Sequence, residues 1–178
     1  MQCVEIVMQD HVVLRRALNI LDAIVDTLER GQPIEFSDAQ EIVKFIKLVG
    51  IECHQGMEEE YLFPTLRRAL PLDNRIQRML FQHEEQRAVM MDIEEALDSR
   101  RGLDFVEQAQ LLIALYRGHL DQEETILRQI AEAGLSATED NALVTELTTH
   151  RKTPMEYTHF ARLGWKYLSN SPARAKTA

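Results

Sequence analysis

His54 and Glu58 stand four residues apart in the stretch His54-Gln55-Gly56-Met57-Glu58-Glu59-Glu60-Tyr61-Leu62-Phe63-Pro64. Residues i and i+4 share one helix face, so the imidazole and the carboxylate can enter one small volume. The spacing recurs 65 residues later in His119-Leu120-Asp121-Gln122-Glu123-Glu124. Two further histidines, His11 and His83, each precede one of these pairs. A single pair of this kind is common on solvated helices, and a lone core histidine is more often hydrogen-bonded than metal-bound. The joint pattern is more specific. Four imidazoles and two carboxylates gathered in a core need partners, because buried polar groups and charges are costly alone. Two cations about 3.5–4 Å apart would satisfy them, with neutral imidazole nitrogens ligating and carboxylates able to bridge. Such a mixed donor set suits iron, manganese or zinc better than calcium or magnesium.

Helices must position these groups. Val7, Leu14, Leu21 and Leu28 repeat every seven residues, with Leu18 and Val25 between them. This predicts a packed helix over about residues 4–30, with His11 on the same track as Leu18 and Val25. Gly31-Gln32-Pro33 ends it. A second helix starts at Ser37, with Gln40 as its capping-box partner. Its apolar face is Ile42, Ile46, Val49, Cys53 and Met57, which leaves His54 and Glu58 on a margin of that face. Gly50 and Gly56 cost about 1 kcal/mol each in a helix interior, so close approach of a neighbour or room for ligand side chains is expected there. Pro64 stops or bends the helix, and Pro71 closes a short turn.

A third helix, over about residues 73–101, carries Ile76, Met79, His83, Gln86, Met90, Ile93 and Leu97 in steps of three and four, and Gly102 ends it. The fourth begins near Asp104, capped with Glu107, and its seam is Phe105, Ala109, Leu112, Tyr116, His119, Glu123, Ile126 and Ile130. That phase selects Glu123, not Glu124, as the inward acid. Gly134 ends the seam. His11 with His54/Glu58, then His83 with His119/Glu123, form a weak internal repeat of two helical hairpins. The expected fold is all-α, an up-down-up-down four-helix bundle over residues 1–134. Ser136 with Glu139 caps a fifth helix reaching about His150. Thr153-Pro154-Met155-Glu156 opens a sixth that carries Tyr157, Phe160, Leu163, Trp165 and Leu168. Residues 135–169 thus form a helical extension on the bundle or against a partner, and 170–178 a flexible tail.

Composition narrows the classes. Of 178 residues, 45% are hydrophobic and 28% charged, as in ordinary globular domains, and the 7 Gly and 5 Pro leave helix favoured. The net charge of −9 argues against nucleic-acid or anionic-membrane binding. No run approaches the roughly 18 apolar residues of a membrane span, and Met1-Gln2-Cys3-Val4-Glu5 lacks the regions of a signal peptide. Cys3, at a mobile terminus, and Cys53, in a helix, do not suggest a disulfide. A cytoplasmic location is expected, as a monomer or homodimer.

The order His11, His54-x-x-x-Glu58, His83, His119-x-x-x-Glu123 resembles the hemerythrin-like, or HHE cation-binding, domain over roughly residues 5–132. The stretch from Glu58 to Pro64 is similar to the segment after that family's first His/Glu pair. The resemblance implies two non-haem irons, oxo- or hydroxo-bridged, inside a four-helix bundle. His11, His54, His83 and His119 would be terminal ligands, and Glu58 and Glu123 the bridges. Oxygen carriers of the family have another histidine where this chain has Arg87, and an acid at the position of Glu124. The chain therefore resembles the branch with four histidines and two glutamates, which implies open coordination for O₂, NO or peroxide. That branch includes proteins of iron–sulfur cluster repair, nitric-oxide binding and iron or oxygen sensing. An iron donor or sensor module working through a protein partner at the C-terminal helices is the alternative.

Around these ligands, Tyr61 and Tyr116 each lie one turn from a ligand position, as core tyrosines or as hydrogen-bond donors to a bound ligand. Arg87 pairs with a carboxylate or reaches solvent. Glu59, Glu60 and Glu124 are expected on a solvated face, Met57, Met79, Met90 and Met91 in packing, and His150 and His159 on the surface without a paired acid. A metal-free bundle with hydrogen-bonded histidines competes with all of this. A ferritin-like site ranks low, because it uses Glu-x-x-His with extra glutamates. No catalytic side chain and no organic cofactor site is indicated.

Overall fold

The computed structural model describes residues 1–72, 74–150 and 157–169, with side chains in the last stretch from Phe160 onward. It is all-helical, with no strand among the described residues. Helix α1 spans Gln2–Glu29, α2 Phe36–Ile46, α3 Phe63–Ala69, α4 Arg75–Asp98, α5 Gly102–Gly134, α6 Ala137–His150 and α7 Tyr157–Leu168. Between α2 and α3 the chain stays helical but widens to π winding over Lys47–Gln55 (π1) and Glu58–Leu62 (π2). The expected Asp73 helix start, the Thr153–Glu156 start, the side chains of Tyr157 and His159 and the tail from residue 170 lie outside the described residues.

Helix α5 packs along α1 and α4, and α1 and α4 both also touch α2 and π1. Their apolar faces build two cores. One gathers Leu14, Leu18, Ile24, Ile42, Ile46, Ile93 and Leu112. The other gathers Val4, Val7, Phe63, Leu66, Met79, Leu127 and Ile130. His11, His54, His83 and Glu123 each fall between residues of the two cores, while His119 lies among residues of the first and Glu58 among residues of the second. The heptad reading of α1 thus holds, and His11 is 1% exposed on it.

Several ends differ from expectation. Ser37 makes no capping box; Glu35 is the N-cap of α2, without a side-chain cap. Pro64 neither stops nor ends the helix. Its missing N–H falls where π winding returns to α, so the ladder is already interrupted there. Gly102 opens α5 instead of closing α4. The reversal falls at Arg100, with φ 53, so a non-glycine residue takes the left-handed position. Asp104 pairs with Arg101 at 2.6 Å, not with Glu107 as a cap. Leu127 is fully buried where the seam called for Ile126, which is only partly buried. Met91 is 68% exposed, unlike Met57, Met79 and Met90 in the cores.

Helix α6 does form the expected Ser136/Glu139 capping box, the two backbone N–H groups bonding the partner side chains at 2.8 and 3.3 Å. It packs on α1 through Leu143 and Leu147. Cys3 is not at a mobile terminus. It is fully buried, and Asp140 of α6 accepts the backbone N–H groups of Gln2 and Cys3, both at 3.0 Å. A carboxylate from another helix thus caps α1 and meets its positive end. Burial and Asp140 push the Cys3 thiol up to about 12. Neither cysteine is in a disulfide. Helix α7 lies on α1 and α2 through Phe160 and Leu163, with the rings of Phe45 and Phe160 stacked at 4.2 Å. Trp165, expected in that packing, is 76% exposed. Among the described residues, no helix is long and apolar enough to cross a membrane.

Candidate metal centre

An α-helical projection leaves His54 and Glu58 at the edge of their helix's apolar face, yet both are fully buried. The π winding accounts for this. Bonds from i to i+5 put more residues in each turn, so the face drifts from the α-helical projection. His54 ends up inward at the end of π1, and Glu58 at the start of π2. Gly50 supplies the close approach that its type suggested: a Cβ there would sit 2.6 Å from Tyr116 Oη. Gly56 supplies none, its nearest such neighbour lying 3.9 Å away.

All six expected residues meet. One donor atom from each of His54, Glu58, His119 and Glu123 lies within 4.8 Å of the others. The rings of His11 and His54 pack edge to face at 4.9 Å, and those of His83 and His119 do the same at 4.9 Å. Glu58 Oε2 lies 3.7 Å from His54 Nε2 and 3.5 Å from His83 Nε2. Glu123 Oε2 lies 3.4 Å from His11 Nε2, 3.7 Å from His54 Nε2 and 3.1 Å from His119 Nε2. Each carboxylate therefore reaches both histidine pairs. Glu123 is inward, as the phase of α5 requires, while the side chain of Glu124 is 42% exposed.

The outer nitrogens fix which way three of the rings are protonated. Nδ1–H of His83 donates to Glu59 Oε1 at 2.7 Å, that of His11 to Glu124 Oε1 at 3.2 Å, and that of His119 to Gln82 Oε1 at 3.0 Å. Their Nε2 lone pairs then point inward. Nε2 of His83 and His119 face each other at 3.2 Å with no hydrogen to share. His11 Nε2, His54 Nε2 and all four oxygens of Glu58 and Glu123 are buried without a hydrogen bond. Lone pairs crowded together in a dry interior repel, and a cation among them removes both the repulsion and the unmet bonding. The residues present thus fit a metal centre.

Without a metal, burial and neighbouring charges push these groups in different directions. Burial and the neighbouring His119 hold the His83 pKa down at about 2, and burial lowers that of His54, so both rings stay neutral. Burial also opposes protonation of His11, but Glu123 and Glu124 outweigh it and raise its pKa. Burial and the Glu123 charge push Glu58 well above the usual carboxylate range. Burial acts on Glu123 too, but contact with Glu58 and the histidines carries it the other way.

Two acids expected in solvent are instead supports. Glu59 is bonded to His83 and Arg87, and Glu124 to His11 and to Arg15, at 2.8 Å. Arg87 takes its carboxylate reading, joining Glu59 and Glu84. Gln82 received no role from the sequence, and nothing in its spacing marks it. Phe63 stacks on His83 at 5.7 Å. Tyr61 belongs to neither expected place: its hydroxyl donates to Glu60, and its ring stacks on His150 at 5.0 Å. His150 is exposed as expected, but it does have an acid, Glu146 at 3.4 Å. Tyr116 is fully buried in the core.

Residues 3–131 match the family model described as the hemerythrin HHE cation binding domain. No curated protein and no solved structure matches the chain.

Proposed function

Because the chain belongs to the hemerythrin HHE cation-binding family, we propose that it holds two non-haem irons in an up-down-up-down bundle of α1, α2 with its π continuation, α4 and α5. The observation that carries this is the inward set of Nε2 atoms and unbonded carboxylates, opposed by outer Nδ1 atoms tied to Glu59, Glu124 and Gln82. His83 and His119 would serve one ion, and His11 and His54 the other. Glu58 and Glu123 would span both, since each lies between the pairs. Manganese or zinc suits the same donors. Bound iron supplies open coordination and redox chemistry for O₂, NO or peroxide. The chain's own part is to turn the imidazole Nε2 atoms inward, lock three of the four rings from outside and exclude bulk water with the two apolar cores.

Absorption spectra of the iron-loaded chain, taken with and without O₂, NO and peroxide, test the reading. A change on adding at least one ligand supports it, and spectra indifferent to all three contradict it.

A second reading has one observation in its favour. Trp165 stands 76% exposed on α7, whose other side is seated on the bundle. An iron donor or sensor acting through a protein partner would use that face. A Trp165→Ala variant would then lose partner capture while retaining its iron.

A further inference from the structure

The interior holds more polar groups than the six candidate ligands. Gln55, Gln86 and Tyr116 are all 0% exposed. Gln86 lies one turn from His83, Tyr116 one turn from His119, and Gln55 adjoins His54. Gln55 Nε2 donates to Gln86 Oε1 at 2.5 Å and, more weakly, to Tyr116 Oη at 3.4 Å. Gln55 Oε1 and Gln86 Nε2 are left buried without a partner. Turning both amides round still leaves one carbonyl and one amide N–H unmet, so the result does not depend on how the amides are oriented. The Tyr116 hydroxyl hydrogen also finds no acceptor among the described residues. Burial, outweighing Arg87, keeps that phenol protonated. It is seated against the backbone at Gly50, where any side chain would collide with it.

Unmet buried donors and acceptors are rare and costly, and they mark a place where something else bonds. The leftover set contains both kinds: an amide N–H and a phenol O–H that donate, and an amide carbonyl that accepts. O₂ and NO only accept hydrogen bonds. Hydrogen peroxide accepts and donates. We propose that Gln55, Gln86 and Tyr116 form a polar rim beside the metal centre that selects hydrogen peroxide over acceptor-only diatomics. This rests on the metal-binding reading above. These three are specificity residues; the six ligands hold the ions without them.

The test compares the full iron-loaded chain with Tyr116→Phe and with the Gln55→Met/Gln86→Met double variant. In the Gln55→Met/Gln86→Met variant, which removes the accepting carbonyl, the half-saturating concentration of hydrogen peroxide should rise about ten-fold or more and by clearly more than that of NO, whereas Tyr116→Phe removes a donor open to both ligands and should weaken both. Iron content should not change. The double variant in its metal-free form should melt no lower than wild type, because removing both partners of a half-satisfied pair is close to neutral. Peroxide and NO responses that shift equally in the double variant, or do not shift there, overturn the proposal. So does a metal-free double variant that melts well below wild type, since the pair is then a structural bond. If iron-loaded wild type responds to none of O₂, NO and hydrogen peroxide, the functional reading itself falls. If it responds to any of them but not to peroxide, or if the double variant keeps the wild-type ratio of peroxide to NO, only the selectivity falls.

Discussion

Glu59 Oε1 accepts the Nδ1–H of His83 at 2.7 Å, and Arg87 donates to the same oxygen. One step along the chain, Glu58 faces the opposite edge of that imidazole, 3.5 Å from Nε2. Neighbouring acids on one strand of helix thus grip a single ring from outside and inside. The π winding of this segment is what lets adjacent residues take such different roles.

Removing the outer grip should weaken the centre without dismantling it. Glu59→Ala is expected to lower iron affinity about 10–100-fold, the usual cost of losing such a support. Competition against a chelator measures it. Glu60, one residue on, bonds Tyr61 and no candidate ligand among the described residues, so Glu60→Ala should leave affinity unchanged. Equal effects from the two would mean that general negative charge, not the Glu59–His83 bond, sets affinity.

Gly50 and Gly56 should respond oppositely to alanine. At Gly50 the added carbon would meet Tyr116 Oη at 2.6 Å and Leu14 Cδ2 at 3.2 Å. Overpacking of this kind costs about 1–3 kcal/mol, more than the roughly 1 kcal/mol of helix propensity that alanine returns. Gly50→Ala should therefore melt lower. Gly56 has ordinary contact distance to spare, so Gly56→Ala should melt up to about 1 kcal/mol higher. Thermal unfolding of the metal-free forms compares them directly.

Periodicity made the core legible. Steps of three and four placed His83, His119 and Glu123 inward, and the heptads of α1 placed His11. What escaped was long-range or local to irregular winding. Glu59 and Glu124 sit in acidic runs and look solvated until the other helices bring His83 and Arg87, or His11 and Arg15, against them. Asp140 caps a helix that begins 138 residues away, which no local rule can see. Gly102 and Pro64 were read by residue type alone. The turn instead used Arg100, and the proline fell where the ladder already changed.

Docking of α7 should depend on pH through Asp38. This buried carboxylate accepts from Arg162 and from Tyr167 Oη, both at 2.8 Å, and from Lys166. Burial works against its charge, but Lys166, Arg162 and Tyr167 outweigh it and hold the pKa below the usual value. A depressed folded pKa means that the stabilisation is present above the unfolded pKa of about 3.9 and disappears as pH falls through the folded value. The Tyr167 phenol, raised to about 12 by burial and Asp38, acts at the other end. Its share is present below about pH 10 and lost as pH rises toward about 12. Asp38→Asn should lower stability by about 1–2 kcal/mol at neutral pH, a modest figure because Arg162 and Lys166 are partly exposed. The melting difference from wild type should shrink as pH falls below the unfolded pKa of about 3.9. A difference constant with pH would assign the effect to shape instead of charge.

Elemental analysis joined to melting temperature bears most directly on the centre. Wild type loaded with ferrous iron should hold about two equivalents per chain and melt higher than the metal-free form, since a ligand bound only by the folded state must stabilise it. The Glu58→Ala/Glu123→Ala variant should lose most of both. Less than about half an equivalent in wild type, with no rise in melting temperature on adding iron, would contradict the account and leave the six residues as a metal-free polar layer.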